Sequence, residues 1–145
     1  MTDQILPAEN VRLATRASRD EAIRAAGGIL VETGAVDAAY VDSMFERESS
    51  VSTYMGNFLA IPHGTNEAKD QIHRSGLSVI RYDEPVDWNG EEARFVVGIA
   101  GIENEHLDIL SKIAIIFSDE DEVQRLIDAP DAAALHALLS EVNES

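Results

Sequence analysis

The stretch "FVVGIA", from Phe95 to Ala100, constrains the fold more than any other part of the chain. It contains no polar side chain, whereas a strand with one face in water alternates apolar and polar residues. A run that is apolar throughout is typical of a central strand buried on both faces. We therefore expect a sheet that is covered by helices on each side.

Two further strands and a turn are predicted around this central strand. The segment Phe58–Ile61 is short and apolar, Leu77–Tyr82 alternates in part, and Asn89-Gly90 is a turn signal. Helical patterns lie before, between and after these segments. The prediction is an α/β fold with a mixed, mostly parallel β-sheet flanked by helices on both faces. The length favours one domain over residues 1–145.

Two helices are predicted before the strands. Ser18 and Glu21 form a capping box at the start of the first one. Gly27 and Gly28 inside it either weaken the helix or permit close packing. Its core face would consist of Ala22, Ile23, Ala26, Ile29 and Leu30. Asp37 can cap the second helix. The core face of that helix would consist of Tyr40, Val41, Met44 and Phe45.

Three helices are predicted after the central strand. One begins around Asn104, and its core face at helical spacing would consist of Leu107, Leu110, Ala114 and Phe117. The acidic run Asp119–Glu122 suits the start of the next helix, where the helix dipole favours negative charge. Asp131 can cap the last helix, which would contribute Leu135, Leu138 and Leu139.

Several classes of protein are excluded by the high negative charge of the chain. Others are excluded because their sequence motifs are absent. The net charge of −16 opposes binding to nucleic acid or to an anionic membrane surface. There is no cysteine, and the four histidines show no HExxH spacing, so we expect no metal site. No cofactor is predicted, because the GxGxxG and GxxxxGK[ST] patterns are absent. With neither a signal peptide nor an apolar run of about 20 residues, we expect a cytoplasmic protein without membrane insertion.

His63 in "LAIPHGT" is the first candidate for chemistry. Pro62 cannot donate to a ladder and should end the strand, which would leave His63 exposed at an edge. Gly64 would let the backbone approach a ligand closely. This arrangement is a plausible nucleophile site, although the pattern by itself is weak.

Two other side chains could complete a site with His63. If Asn104 is a helix cap, His106 lies in the first turn, where free N–H groups bind anions. Arg47 ends a predicted helix shortly before the strand that leads to His63, and a guanidinium can hold two phosphoryl oxygens. Each also has an ordinary interpretation as a surface residue.

The remaining polar candidates are weaker. His73 and His136 are interpreted as surface residues, and Trp88 and Gly90 as core and turn. Glu48 could orient Arg47, and Thr65 could position an imidazole, but each of these has an equally good structural interpretation, and the role of Asn57 is open.

Two segments carry a resemblance to a known family. "MFERESSVSTYMGNFLAIPHGTNEAKD", from Met44 to Asp70, resembles the active-site region of enzyme IIA proteins of the mannitol/fructose class in the bacterial sugar phosphotransferase system. "NEHLDILSKIA", from Asn104 to Ala114, is similar to the second active-site segment. Within the class, both segments look closer to the mannitol branch.

The resemblance implies roles for the three candidates. His63 matches the histidine that accepts the phosphoryl group, His106 the second active-site histidine, and Arg47 the arginine that assists transfer. It also implies a phosphotransferase that takes phosphate from phospho-HPr and passes it to a cysteine of a IIB domain. Because this chain has no cysteine and no apolar span, we expect IIB to belong to a separate, membrane-associated IICB permease.

Two alternatives stay open at this point. One is a regulatory protein of the nitrogen type that signals through its phosphorylation state. The other is an enzyme IIA for fructose or another sugar, because sugar choice lies largely in IIB and IIC.

Overall fold

The computed structural model describes residues 5–102 and 105–140, apart from the side chains of residues 66, 67 and 69. The strands are β1 (Val11–Ala14), β2 (Tyr54–Gly56), β3 (Leu59–Ala60), β4 (Gly76–Trp88) and β5 (Glu91–Ala100). The α-helices are α1 (Arg19–Glu32), α2 (Ala39–Ser50), α3 (Glu105–Phe117), α4 (Glu120–Asp128) and α5 (Ala132–Leu139). Short 3-10 turns occupy Ala8–Asn10 and Asn66–Gln71. Across these described ranges, no helix has the length and apolar character that a membrane crossing requires.

The five strands form one mixed sheet in the order β1-β4-β5-β3-β2. The β1–β4 and β3–β5 pairs are parallel, and the β4–β5 and β2–β3 pairs are antiparallel. The predicted α/β class with a mixed sheet is confirmed. The long β4–β5 hairpin turns at Asn89 and Gly90, whose φ angles are 57° and 96°. Positive φ at both central residues is typical of a type I′ turn, whose twist matches that of the flanking strands.

Helices cover both faces of the sheet, as the central strand predicted. On β5, the side chains of Phe95, Val97 and Ile99 pack into the core beneath α3, α4 and α5. Val96 and Ala100 point the other way, into the core beneath α1 and α2. The apolar run at the end of β5 is therefore buried on both faces.

Most of the predicted helix starts are confirmed. The Ser18 hydroxyl accepts from the Glu21 N–H while the Glu21 carboxylate accepts from the Ser18 N–H, which completes the capping box. Asp119 and Asp131 accept from backbone N–H groups at the starts of α4 and α5.

The prediction that Asp37 caps α2 is wrong. The N-cap is Ala38, which makes no side-chain cap bond. The Asp37 carboxylate lies 2.7 Å from Nε2 of His73 instead. The Asp37 carboxylate thus pairs with a side chain that is distant in sequence, and not with the backbone N–H groups at the start of α2.

The predicted core face of α3 is also wrong in part. Leu107 is 64% exposed. The buried side chains of α3 are Ile109, Ile113, Ile116 and Phe117. Because α3 is apolar on most of its circumference, its periodicity did not determine which stripe faces the sheet.

The strands at the edges of the sheet were not predicted. β1 and β2 are four and three residues long. Their positions come from pairing with β4 and β3, which their own sequences do not reveal. Phe58, predicted in a strand, adopts a φ of 68° in the β2–β3 turn.

The two adjacent glycines of α1 give a matched pair of tests. A Cβ at Gly27 would lie 2.9 Å from both Sδ of Met44 and a methyl of Val41, whereas a Cβ at Gly28 meets nothing within 4 Å. We expect Gly27→Ala to destabilise the fold by about 1–3 kcal/mol through overpacking. Gly28→Ala should stabilise it by about 0.5–1 kcal/mol through helix propensity. Urea unfolding of both variants measures this, and equal effects would contradict the α1–α2 packing.

Candidate active site

His63 lies where the chain continues from β3 alongside the end of β5. The Ile99 N–H donates to the Pro62 carbonyl at 3.1 Å, and His63 pairs with Ile99 in an isolated parallel bridge. Its side chain is half-buried, so the expectation that His63 would be exposed at an edge is wrong in part. The backbone pairing with β5 thus resumes after Pro62, at His63.

The hydrogen bond of the His63 ring determines its tautomer. Nδ1 lies 2.7 Å from the Ile61 carbonyl oxygen, which can only accept, so Nδ1 carries the proton. In the neutral ring Nε2 therefore keeps its lone pair and is the nucleophilic nitrogen.

Tyr40 on α2 holds the segment that follows His63. Its hydroxyl accepts from the Gly64 N–H and donates to the Ile99 carbonyl, each at 2.9 Å. Burial raises the pKa of Tyr40, which keeps the hydroxyl protonated as a donor. A Cβ at Gly64 would lie 2.5 Å from the Tyr40 ring and from the Ser43 hydroxyl. Gly64 thus allows α2 to pack closely, and the space beside it is filled by protein.

His106 occupies the first turn of α3, as predicted, and its ring faces that of His63. The ring centroids are 5.2 Å apart and the planes meet at 59°. A Cβ at Gly101 would lie 2.5 Å from the His106 Cα, so a glycine at the end of β5 permits this approach. Asn104, the predicted cap, lies outside the described residues.

Arg47 lies in the last turn of α2 and is half-buried. Its guanidinium donates to the Val51 carbonyl at 2.7 Å. Its positive charge acts on the His63 imidazole. The structure therefore brings His63 and His106 together from separate parts of the chain, and the charge of Arg47 acts on His63 from the end of α2.

The surroundings of His63 favour its neutral form. Burial lowers the pKa of His63, and the charge of Arg47 lowers it further. The hydrogen bond to the Ile61 carbonyl and the charge of Glu48 act in the opposite direction, and the net pKa lies below the ordinary 6.5. Near neutral pH the ring is thus largely unprotonated and nucleophilic at Nε2.

The role of Glu48 was left open by the sequence, and in the structure its charge acts on His63. It is 4% exposed and accepts hydrogen bonds from Thr53 and Trp88. Trp88 is buried in the core, as predicted.

Asn57 donates to the Phe117 carbonyl at 2.8 Å, which is a structural contact. Tyr40 was predicted only as a core residue; no local pattern signals its hydrogen bonds.

The two remaining histidines lie elsewhere. His73 is 54% exposed at its side chain and pairs with Asp37, which confirms its surface assignment. His136 is half-buried, and its Nε2 lies 2.9 Å from the Leu6 carbonyl, so the surface assignment is wrong there. Its helix packs against the N-terminal segment, a contact between residues 130 positions apart.

The site suits attack on an anionic electrophile. A half-buried imidazole presents a lone pair, a second imidazole faces it, and a guanidinium charge is near, which are parts that phosphoryl transfer uses. Among the side chains that the structure describes, no three from His, Cys, Asp or Glu are grouped to hold a metal ion.

Comparison with known proteins agrees with this chemistry. The sequence matches the family described as "Phosphoenolpyruvate-dependent sugar phosphotransferase system, EIIA 2" over residues 4–142. It is 57% identical to the mannitol-specific phosphotransferase enzyme IIA component of Halalkalibacterium halodurans, covering 99% of this chain and 100% of that protein. The protein of the same name from Bacillus subtilis is 51% identical, with 97% and 99% covered.

A solved structure shares the fold. The chain is similar to enzyme IIA-mannitol in its complex with phosphorylated enzyme IIB-mannitol from Escherichia coli, with a TM-score of 0.85 and 38% identity over 92% of this chain and 95% of that one. Since the family match spans residues 4–142, this chain belongs to the EIIA 2 family of the phosphoenolpyruvate-dependent sugar phosphotransferase system.

Proposed function

We propose that this protein, as a single enzyme IIA domain, is a phosphocarrier for mannitol uptake. Nε2 of His63 attacks the phosphorus of phospho-HPr, and the P–N bond to the donor breaks as the new P–N bond forms. A cysteine thiolate of a IIB domain then takes the phosphoryl group and releases His63. The observation that carries the proposal is the Nδ1–H bond to Ile61, which leaves the Nε2 lone pair available beside His106.

The partners and the sugar are inferred from the relatives. Both bacterial relatives are named mannitol-specific. The enzyme IIA from Escherichia coli is seen with phosphorylated IIB, which supports a IIB domain as acceptor here. The IIB domain would belong to a separate membrane-associated IICB permease. Donor and acceptor of this kind place the relay in the cytoplasm.

Arg47 and His106 would stabilise the group in transfer. The phosphoryl group spreads negative charge over its equatorial oxygens in the transition state. The Arg47 guanidinium supplies positive charge, and the His106 imidazole can direct an N–H toward those oxygens from across the 5.2 Å ring separation. No metal ion enters this scheme.

Removing the acceptor imidazole tests the proposal directly. With phosphoenolpyruvate, enzyme I and HPr, the wild type should gain one acid-labile phosphate, and His63→Ala should gain none because Nε2 is lost. The measurement is ³²P labelling with acid treatment. His73→Ala, at an exposed site paired with Asp37, is the matched control and should label like the wild type.

Labelling that persists in His63→Ala would reject His63 as the acceptor. Addition of a mannitol IIB domain should drain the label from the wild type within the assay. If IIB leaves the label in place, transport is the wrong function, and the regulatory alternative gains support.

Loss of the second imidazole should slow transfer without preventing it. We expect His106→Ala to reduce the transfer rate by roughly 10²–10³-fold, the usual cost of removing one donor to a developing anion. Rapid-quench labelling measures the rate, and circular dichroism verifies the fold. A rate equal to that of the wild type would remove His106 from the mechanism.

The titration of His63 should follow its surroundings. Because the folded pKa lies below 6.5, fewer than half of the rings should be protonated at pH 6.5, and the midpoint should be reached only at lower pH. ¹⁵N NMR of the imidazole should show a midpoint below that of a histidine peptide in the same buffer, and the Nδ1–H tautomer above the midpoint. A midpoint above the peptide's would contradict the described burial.

A further inference from the structure

Glu48 carries a buried charge that the proposed relay does not yet explain. Three donors converge on its carboxylate: the Thr53 N–H at 2.8 Å and the Trp88 indole N–H at 3.0 Å on Oε2, and the Thr53 hydroxyl at 2.5 Å on Oε1. Both oxygens accept, which fits the ionised form. A buried charge is costly, and a neutral glutamine could make the same three contacts. A structural link between Thr53 and Trp88 therefore does not require the charge.

The segment that Glu48 holds, residues 51–53, contacts both sides of the site. The Val51 carbonyl accepts from the Arg47 guanidinium at 2.7 Å. The Thr53 carbonyl accepts from the Ile61 N–H at 3.1 Å, and the Ile61 carbonyl in turn accepts from Nδ1 of His63. Glu48 is therefore linked to Arg47 and to His63 through hydrogen bonds and the short backbone segments between them.

The charge of Glu48 also reaches His63 through space. Burial is the largest influence on the pKa of His63; among the charges, Arg47 lowers it and Glu48 raises it. The charges that act on the ring are those of these two side chains of α2, and the imidazole of His106 on α3 lies 5.2 Å from it between ring centroids. A phosphoryl group on Nε2 is an anion, so the same two charges act on it with opposite signs: Arg47 attracts it and Glu48 repels it.

We propose that the buried negative charge of Glu48 keeps the phosphoryl group on His63 transferable. Arg47 by itself would stabilise the phosphorylated state and hold the group in place. Glu48 opposes that stabilisation, so the group can leave for the next acceptor. This inference rests on the proposed phosphorylation of His63.

Glu48→Gln separates the charge from the contacts. The amide oxygen can accept from the Thr53 N–H and the Trp88 indole N–H, and the amide NH₂ can donate to the Thr53 hydroxyl in place of the present bond. In a mixture with HPr and phospho-HPr, ³¹P NMR should show the equilibrium shifted toward phospho-His63 by roughly tenfold, the scale of one charge acting across a partly screened site. The spontaneous hydrolysis of phospho-His63 should also be slower in Glu48→Gln than in the wild type, because the phosphorylated state is more stable.

A second measurement does not depend on phosphorylation. The ¹⁵N titration of His63 should move to lower pH in Glu48→Gln, because the influence that raises its pKa is gone. Glu46→Gln is the matched control, since it removes an exposed acid from the same helix, and both measurements should equal those of the wild type. Thr53→Val keeps the charge while it loses the hydroxyl contact, and it should also leave the equilibrium unchanged.

The outcomes separate this inference from the proposed function. The wild type could be labelled on His63 while Glu48→Gln changes neither the phosphorylation equilibrium nor the titration of His63. In that case the proposed role of Glu48 is rejected and the proposed relay stands. If His63→Ala is still labelled, the relay fails first. Should Glu48→Gln not fold, Thr53→Val decides: a shift of its equilibrium toward phospho-His63 would show that the contacts matter rather than the charge, and would overturn the proposal.

Discussion

The site depends on the two backbone groups of Ile99 at the end of the central strand. The Ile99 N–H binds the Pro62 carbonyl, and the Ile99 carbonyl binds the Tyr40 hydroxyl, which also holds Gly64. These bonds clamp the chain immediately before and after His63. Because β5 is buried on both faces and paired on both edges, its end is a firm support for the candidate ring.

That support defines which nitrogen of His63 keeps its lone pair. With the chain held against β5, the Ile61 carbonyl takes the Nδ1 proton and Nε2 is left with its lone pair. Burial disfavours the protonated ring, so the same packing that orients the imidazole also keeps it nucleophilic. Arg47 and Glu48, adjacent on α2, then act on the ring with opposite signs. A phosphocarrier has to accept a group and also release it, and two opposed charges suit that double task.

Much of the architecture was predictable because it depends on local patterns. The apolar run Phe95–Ala100 predicted a strand between helical layers, and the capping residues Ser18, Asp119 and Asp131 marked the helix starts. The three candidate residues of the site were found from their contexts and from the family resemblance. Two wrong predictions, the core face of α3 and the capping role of Asp37, share a cause. Both depend on contacts with residues that are distant in sequence and close in space.

The sequence by itself determined the α/β class, the turn at Asn89-Gly90 and the choice of His63, since each depends on residues that are close along the chain. Only the tertiary structure decided the tautomer of His63, the closeness of His106 across Gly101 and the burial of Glu48 beneath Trp88. These features need hydrogen bonds and contacts between separate elements, such as the Glu48–Trp88 bond that spans 40 positions. A hydrogen bond or a charge acts over a few ångströms of space, and distance along the sequence does not reveal it.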